Sequence, residues 1–303
     1  MRRTALAFVI ALLGTWPAGA TAVAPGGNGE LAVSAEVAGS WTSLVYLGQR
    51  DGTGTRALPS PCPPGPLELS TRCYAGGQAW SPDGSMVAFS TSGELEPQLH
   101  VVGADGSGLR AVPGAHGFSP TWSPDGSRLA FSADRPGDDC GLRDLYAVAL
   151  DGTGLELIAR GGDDPDWSSR GEIAYERLRL SFPPPNEECE TVGGGIAVVR
   201  PGGRPRRITL GGNPSWGPSG HTITFVGPDG LYRRKTDRRP RRAHRLVRAG
   251  LIWEPAWSPD GRLIAYRRGS RLRLIGARRG RPVAAAFNPP GRDFSPAWQT
   301  LPR

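Results

Sequence analysis

Short apolar runs alternate with polar turns along almost the whole chain, and the alternation repeats. In the clearest copy, Ala256-Trp257 is followed by a Ser-Pro-Asp-Gly turn and then by the apolar run Leu263–Tyr266. Pro presets φ in such a turn, Asp can bond nearby backbone N–H groups, and Gly accepts a positive φ. The run that follows is apolar at successive positions, which is typical of a strand buried on both faces. Each copy therefore predicts two strands joined by a tight turn.

Tryptophans mark six copies of this unit. A second hairpin follows within the repeat, as where Leu145–Val148 leads through Asp151-Gly152 to Leu155–Ile158, and Asp-Gly between apolar strands favours a hairpin. We interpret the tryptophans as packing residues between sheets. They are Trp80, Trp122, Trp167, Trp216, Trp257 and Trp298, at successive spacings of 42, 45, 49, 41 and 41 residues. Four strands in such a period are typical of a propeller blade.

The two ends of the chain complement each other. Near the N-terminus, three segments match the last three strands of a repeat: Glu30–Ser34, Leu44–Leu47 and Thr55–Leu58. Near the C-terminus, Phe294–Thr300 matches only the first strand of a repeat, the one that contains the tryptophan and that we call the Trp strand. Joined, the ends complete one blade and protect sheet edges that would otherwise be exposed. The sequence therefore predicts an all-β, six-bladed β-propeller of four-stranded blades, closed by the C-terminal Trp strand, with residues 25–303 as a single domain.

The repeated turn and strand motifs also resemble those of a known protein family. The Trp-Ser-Pro-Asp-Gly turn, the Ala-Phe or Ala-Tyr strand and the Asp-Gly hairpin resemble the WD40-like (PD40) repeats of the TolB family, which also occur in propeller domains of the tricorn and prolyl oligopeptidase groups. The resemblance covers residues 30–300 and implies a propeller fold. In TolB itself an α/β domain precedes the propeller, and the propeller binds Pal; here we expect only a signal peptide before the repeats. The Gly-x-Ser-x-Gly elbow of the hydrolase domain in prolyl oligopeptidases has no counterpart.

The N-terminus has the pattern of an export signal. Arg2 and Arg3 precede the apolar run Ala5–Leu13, and Ala18-Gly19-Ala20 resembles a cleavage site. The alternative is an uncleaved membrane anchor, but the run is shorter than the roughly 20 apolar residues that span a bilayer. We therefore expect residues 1–24 to be a signal peptide and the protein to be exported to the periplasm or the exterior. No transmembrane segment is expected after cleavage.

Export turns the four cysteines into candidates for disulfides. Cys62 and Cys73 enclose a short Pro-rich loop, whereas Cys140 and Cys189 fall at equivalent places in successive repeats. We predict the pairs Cys62–Cys73 and Cys140–Cys189, with four free thiols as the alternative.

The net charge of +8 is unevenly distributed. Residues 200–281 contain 21 Lys and Arg against four acids, a local charge of +17, which leaves −9 for the remainder. Part of this excess is a basic run in place of the Asp-Gly hairpin of the fifth repeat: Arg233, Arg234, Lys235, Arg238, Arg239, Arg241 and Arg242. Such a patch suits an anionic polymer or lipid headgroups. Aromatic residues are not interleaved as single-stranded nucleic acid requires, so no nucleic acid is expected. The alternative is a solvated edge that resists strand pairing.

Candidate binding residues lie in the loops opposite the uniform turns, because these loops vary most in length. They form an expected acidic rim together with an aromatic residue and a histidine: Asp138, Asp139, Asp163, Asp164, Glu187, Glu188, Trp253 and His116. Carboxylates suit Ca²⁺, so Ca²⁺ is possible although no cofactor is expected, and a merely solvated rim is the alternative. The four histidines fall at different blade positions, which indicates neither a metal site nor a catalytic set.

The function that these patterns favour is a non-catalytic binding or scaffolding module of the cell envelope. A protein or an anionic polymer would be its partner, and we expect a monomer. The alternative is a hydrolase or lyase acting on polysaccharide, with its site at the mouth of the central channel on the variable face.

Overall fold

The structure is a computed structural model of the chain. It describes residues 26–37, 39–62, 72–94, 96–181, 189–237, 242–248, 250–284, 287, 289 and 293–301. The expected signal peptide lies outside these residues. The described residues contain strands and turns but no helix, and so no helix among them could cross a membrane.

The strands follow one another with short turns between them. In chain order they are β1 (Gly27–Glu36), β2 (Thr42–Gly48), β3 (Arg56–Ala57), β4 (Cys73–Trp80), β5 (Met86–Gly93), β6 (Gln98–Gly103), β7 (Arg110–Ala111), β8 (Phe118–Trp122), β9 (Arg128–Asp134), β10 (Arg143–Ala149), β11 (Glu156–Ala159), β12 (Gly162–Trp167), β13 (Ile173–Ser181), β14 (Glu190–Val199), β15 (Arg206–Thr209), β16 (Gly212–Trp216), β17 (Thr222–Gly227), β18 (Gly230–Lys235), β19 (His244–Arg248), β20 (Ile252–Trp257), β21 (Leu263–Arg268), β22 (Arg271–Gly276), β23 (Pro282–Val283) and β24 (Asp293–Leu301).

Four sheets have the expected composition of one blade. They are β8–β11, β12–β15, β16–β19 and β20–β23, each antiparallel, with the Trp strand at one edge. The remaining strands form one eight-stranded sheet in the order β24-β1-β2-β4-β5-β6-β7, with β3 paired to β2. The prediction of six separate four-stranded blades is therefore wrong: four such blades are present, beside one larger sheet.

A short parallel contact creates the larger sheet. Thr42 and Ser43 of β2 pair with Cys73 and Tyr74 at the start of β4. The Cys73 N–H donates to the Trp41 carbonyl at 3.2 Å. The disulfide between Cys62 and Cys73 holds the start of β4 close to the residues that follow β3, so two units that the repeat predicts as separate share hydrogen bonds.

The Trp strands form a closed ring. β4, β8, β12, β16, β20 and β24 contact one another in that order, and β24 contacts β4. β24 also pairs with β1, with Leu31 opposite Trp298 and Ala32 opposite Ala297. This pairing of the chain ends is the one expected from the sequence. The six tryptophans of these strands are buried, which confirms their packing role.

The Ser-Pro-Asp-Gly turns are held by a repeated set of hydrogen bonds. Ser81 Oγ donates to Asp83 Oδ1 at 2.6 Å and accepts from the Met86 N–H at 2.9 Å. Ser123 and Ser258 make the same pair of contacts in their own turns. Ser therefore closes the turn that Pro and Gly shape, which explains why the tetrapeptide recurs.

Replacing turn glycines with alanine should separate two costs in stability, the strain of a positive φ and a collision with β24. Gly84 and Gly171 occupy equivalent turn positions with φ of 72° and 76°. A Cβ at Gly171 meets nothing within 4 Å, whereas a Cβ at Gly84 would collide with the Thr300 carbonyl of β24. We expect Gly171→Ala to lower the free energy of unfolding by about 1 kcal/mol and Gly84→Ala to lower it clearly more. Denaturant unfolding of both variants measures this, and equal losses would show that the contact between β24 and this turn adds no stability.

Candidate functional site

Each of the six Trp strands contains a β-bulge just before its tryptophan. In β8, for example, Phe118 pairs with Ser132 but Thr121 pairs with Ala130, so one residue is extra. The same shift occurs in the other five strands. The residue three positions before each tryptophan has a positive φ between 42° and 62°: Gly77, Ser119, Asp164, Asn213, Glu254 and Ser295. We call these six residues the polar ring.

The polar ring holds unusual backbone conformations. The non-glycine residues with positive φ in the described ranges are all members of this ring. Such conformations are uncommon for residues with a side chain and persist only where the surroundings hold them. Their recurrence in successive strands indicates that the bulge is part of the fold, and in five of the six strands the bulge places a polar residue at the same cavity.

The polar ring lines a central cavity of about 200 Å³. The next residue in five of the strands is Pro, and in β4 it is Gln78. These residues and four of the tryptophans, Trp80, Trp122, Trp257 and Trp298, also line the cavity. Of the ring residues, only Asp164 was predicted from the sequence. Five of the six copies contain a polar residue, a proline, any residue and a tryptophan in succession. This four-residue pattern could have located the ring.

Asp164 bridges three neighbouring strands. Its Oδ1 accepts a hydrogen bond from Ser119 Oγ at 3.1 Å, and its Oδ2 accepts one from Asn213 Nδ2 at 2.6 Å. Burial, reinforced by the nearby carboxylates of Asp163 and Glu176, raises the pKa of Asp164 to about 7. Asp164 is therefore a carboxyl group that changes charge near neutral pH inside the cavity.

Two further acids, both half-buried, lie close to Asp164. Asp166 lines the same cavity, and its Oδ2 accepts from the Trp216 N–H at 2.6 Å. Burial raises the pKa of Asp166 to about 7. Glu176 Oε2 accepts from the Asn213 N–H at 3.3 Å, and burial raises the pKa of Glu176 as well. The wall of the cavity formed by β12 and its neighbours is thus acidic.

Two arginines contact aromatic residues that directly precede members of the polar ring in the sequence. Arg143 pairs with Asp163 at 2.9 Å and lies 4.1 Å from the centre of the Phe118 ring. Arg267 pairs with Glu254 at 3.2 Å and lies 4.4 Å from the centre of the Trp253 ring. Each arginine thus combines an ion pair with a cation–π contact, which fixes the aromatic side chains beside the ring.

Large exposed side chains precede the polar ring by three residues in several strands. Tyr74, Leu210 and Leu251 have exposed fractions of 37%, 64% and 68%. His116 occupies the same position before β8 and is also exposed. We call these four residues the outer rim. Exposed apolar side chains are unremarkable singly but indicate an interaction surface when they recur at equivalent positions of successive repeats.

Comparisons with known proteins agree with this geometry. Neither a protein-family model nor a curated protein sequence matches the chain. TolB from Acinetobacter baumannii superimposes with a TM-score of 0.66 at 17% identity, covering 89% of this chain and 66% of the TolB chain. The chain thus spans just under two thirds of TolB.

Two other solved structures have the same architecture. A chain of a nidogen/laminin complex gives a TM-score of 0.67 at 12% identity, covering 90% of this chain and 99% of that one. Hydrazine synthase from Kuenenia stuttgartiensis gives 0.63 at 17% identity, covering 90% and 47%. The fold is a β-propeller. The expected resemblance to TolB is confirmed at the level of the fold.

The propeller brings some of the predicted site residues together. Asp164 lies in the cavity, Asp163 and Trp253 lie directly outside the polar ring, and His116 belongs to the outer rim. Asp138 instead orders its own loop, since its Oδ1 accepts from the N–H groups of Cys140 and Leu142, both at 3.0 Å. Asp139 is exposed. Glu187 and Glu188 lie outside the described residues.

Both predicted disulfides are present. Cys62 is bonded to Cys73, and Cys140 is bonded to Cys189. The second disulfide links the long loops of two adjacent blades, and Thr191 Oγ1 adds a hydrogen bond to the Cys140 carbonyl at 2.6 Å. The variable face is therefore cross-linked beside the acidic wall of the cavity.

The predicted basic patch is only partly a free surface. Arg233 donates to the Ala277 carbonyl and Arg234 to the Ile208 carbonyl, both at 2.7 Å, so these two side chains tie adjacent blades together. Lys235 and Arg242 are exposed. The other three members of the patch, Arg238, Arg239 and Arg241, lie outside the described residues.

The histidines are dispersed over the propeller. His100 is buried against Thr91 Oγ1 at 3.0 Å, and burial lowers its pKa. His221 lies 3.4 Å from Arg170 and His244 is exposed in β19. Across the described ranges, no three His, Cys, Asp or Glu side chains are arranged to hold a metal ion.

Replacing Asp164 with Asn should change how stability depends on pH. The pKa of the Asp164 carboxyl is about 7 in the folded protein against an ordinary value of 3.8. The folded state therefore binds the proton more tightly, and Asp164 lowers wild-type stability as the pH rises between these values. Asp164→Asn removes this contribution to the decline. The difference in unfolding free energy, variant minus wild type, should become more positive from about pH 5 to about pH 7, by about 1.4 kcal/mol for each pH unit.

Asp83→Asn is the matched control for this experiment. Burial opposes ionisation of Asp83, but hydrogen bonds from Ser81 and Ser85 outweigh it and lower its pKa. Because Asp83 is ionised throughout the interval, its variant should differ from wild type by a constant amount. Parallel pH profiles for Asp164→Asn and wild type would contradict the assignment of a neutral-range pKa to Asp164.

Proposed function

We propose that this propeller is an exported binding module that holds a protein partner of the cell envelope against the mouth of its central cavity. The observation that carries the proposal is the outer rim, in which Tyr74, Leu210 and Leu251 are exposed at equivalent positions. Large aromatic and aliphatic side chains supply most of the binding energy at protein interfaces. Their recurrence at equivalent positions favours a partner that covers the mouth.

The chemistry of the mouth favours a protein over a polymer. The outer rim is apolar and aromatic, whereas the polar ring three residues further along the strands presents hydroxyl, amide and carboxyl groups. An apolar contact surface next to specific polar groups is typical of protein interfaces. An anionic polymer would instead meet the acidic wall around Asp164 and Asp166, which repels it.

Export is supported by the covalent structure. The two disulfides favour an oxidising compartment, because disulfides are rare in the cytosol, and the expected signal peptide at residues 1–24 agrees with this. Propellers of similar fold include TolB and a chain of a nidogen/laminin complex. The second of these is part of a protein complex, which supports a binding role for this fold.

Site-specific photo-crosslinking tests the proposed face. A photoreactive amino acid at Leu251 should crosslink to one defined protein of the source envelope, whereas the same residue at Leu155, which is 54% exposed on the outer part of a blade, should not. Equal crosslinking patterns at both positions, or none at Leu251, would contradict the proposal.

Affinity for the captured partner provides a quantitative prediction. The double variant Leu210→Ser with Leu251→Ser should bind it at least tenfold more weakly, about 1.4 kcal/mol, because buried apolar contact area is lost. The matched control is Leu155→Ser with Leu157→Ser, which removes two exposed leucines of one outer blade edge. The control should bind like wild type, and both double variants should unfold at the same denaturant concentration as wild type.

A further inference from the structure

The central cavity contains a buried acceptor that lacks a donor. Gln78 is 6% exposed and lines the cavity. Its Nε2 donates to the Ala32 carbonyl at 3.2 Å and to the Ser295 carbonyl. With both donor positions used, the amide orientation is fixed, and Oε1 has no hydrogen-bond partner in the structure. Native proteins rarely leave such an atom unsatisfied, which points to a donor that a ligand supplies.

Gln78 also departs from the pattern of the other strands. The equivalent residue is Pro in β8, β12, β16, β20 and β24, and Pro offers the cavity no side-chain hydrogen bond. A single amide among five prolines places one acceptor at one side of the cavity. The acidic wall formed by Asp164 and Asp166 places carboxyl oxygens in the same cavity.

The carboxylates of the cavity are not neutralised from within. The hydrogen-bond donors to Asp164 are the neutral side chains of Ser119 and Asn213. The neighbouring arginines are engaged elsewhere, since Arg143 pairs with Asp163 and Arg267 with Glu254. Among the ion pairs of the described residues, none includes Asp164. Asp164 and the Gln78 carbonyl therefore offer negative charge and an acceptor to a ligand that brings a positive charge and its own donors, beside the indole N–H groups of Trp80 and Trp298, which also have no partner among the described residues.

The size of the cavity limits that ligand. About 200 Å³ is smaller than the roughly 300–1,000 Å³ of sites that enclose a drug-sized molecule. It can admit one side chain or one small amine. The absence of a three-ligand metal cluster in the described part of the chain favours a cation that binds by hydrogen bonds.

We propose that the central cavity binds one alkylammonium or guanidinium group, with Asp164 as its carboxylate partner and the Gln78 carbonyl as a second acceptor. The group has two possible sources, a Lys or Arg side chain of the partner or a free amine. The first source rests on the proposed function, because a protein seated on the outer rim would present its side chain to the cavity. The second source does not depend on a protein partner.

Binding of a cation should be linked to deprotonation. The charged groups that act on Asp164 are Asp163 on its own strand and Glu176 and Glu254 on other strands, and Asp163 and Glu254 pair with Arg143 and Arg267. These three acids favour the protonated form of Asp164, and a bound cation favours the ionised form. Affinity should therefore increase as the pH rises through about 7.

Titration with small probes tests the cavity without any partner. The probes are n-butylammonium and its neutral analogue n-butanol, with binding measured by calorimetry and by indole fluorescence at pH 8. We expect n-butylammonium to bind wild type and n-butanol to bind at least tenfold more weakly, and we expect the affinity for n-butylammonium to drop several-fold at pH 6. Equal binding of the two probes, or binding that does not depend on pH, would overturn the proposal.

Two variants locate the binding. Asp164→Asn and Gln78→Met should each weaken binding of n-butylammonium at least tenfold, and Asp83→Asn, which removes a carboxylate from a turn on the opposite face, should not. Thermal unfolding at pH 8 shows that the variants are folded. Unchanged affinity in Asp164→Asn would overturn the proposal, and so would Ca²⁺ that displaces the probe at equal concentration.

The two sources are separated with the crosslinked partner. If a basic side chain of that partner enters the cavity, n-butylammonium should compete with the partner for wild type but not for Asp164→Asn. If n-butylammonium binds without competing, the cavity is a site for a free amine. A partner that crosslinks at Leu251 while no amine binds would leave the docking face in place and refute the cavity site.

Discussion

The interior of this propeller depends on one backbone constraint, the single left-handed residue that each inner strand contains three positions before its tryptophan. An extra residue in a strand reverses which face the following side chains occupy. The bulge therefore lets the tryptophan pack between sheets while the left-handed residue of the bulge, polar in five of the six strands, lines the central cavity. Packing and the polar ring are two results of the same local geometry, so neither can change without the other.

Ring closure adds a second level of constraint. Each inner strand packs on the next, and polar side chains join them: Thr121 Oγ1 accepts from the Trp167 N–H at 3.1 Å, and Asp166 Oδ2 accepts from the Trp216 N–H at 2.6 Å. The pairing of β24 with β1 brings the chain ends into the same ring. A cavity formed by strands from the whole chain has walls that cannot relax independently, which is why carboxyl groups can be held there at raised pKa values.

The sequence predicted the features that depend on periodicity and missed those that depend on loop geometry. The repeat located the strands, the paired ends and the Cys140–Cys189 disulfide, because each follows from equivalent positions in successive copies, and the short Pro-rich loop between Cys62 and Cys73 located the other disulfide. The shared sheet was not predictable, since the parallel pairing of Ser43 with Tyr74 depends on where the Cys62–Cys73 loop places β4. The polar ring was missed because a bulge breaks the two-residue alternation. Arg233 and Arg234 belong to a basic run in the sequence, yet their carbonyl partners lie on other strands.

The charge distribution explains how a cavity can select one cation. Residues 200–281 carry a local charge of +17, so much of the surface of the later blades repels an approaching polycation. Such repulsion between exposed charges fades over about 8 Å at physiological ionic strength. Inside the opening, Arg143 and Arg267 are neutralised by Asp163 and Glu254, and Asp164 has no such partner among the described ion pairs. An isolated cation carried on an otherwise neutral or acidic surface can therefore reach the cavity at less electrostatic cost than a dense basic segment. Electrostatics of this kind contributes more to the choice of partner than to affinity, which would suit the binding module proposed above.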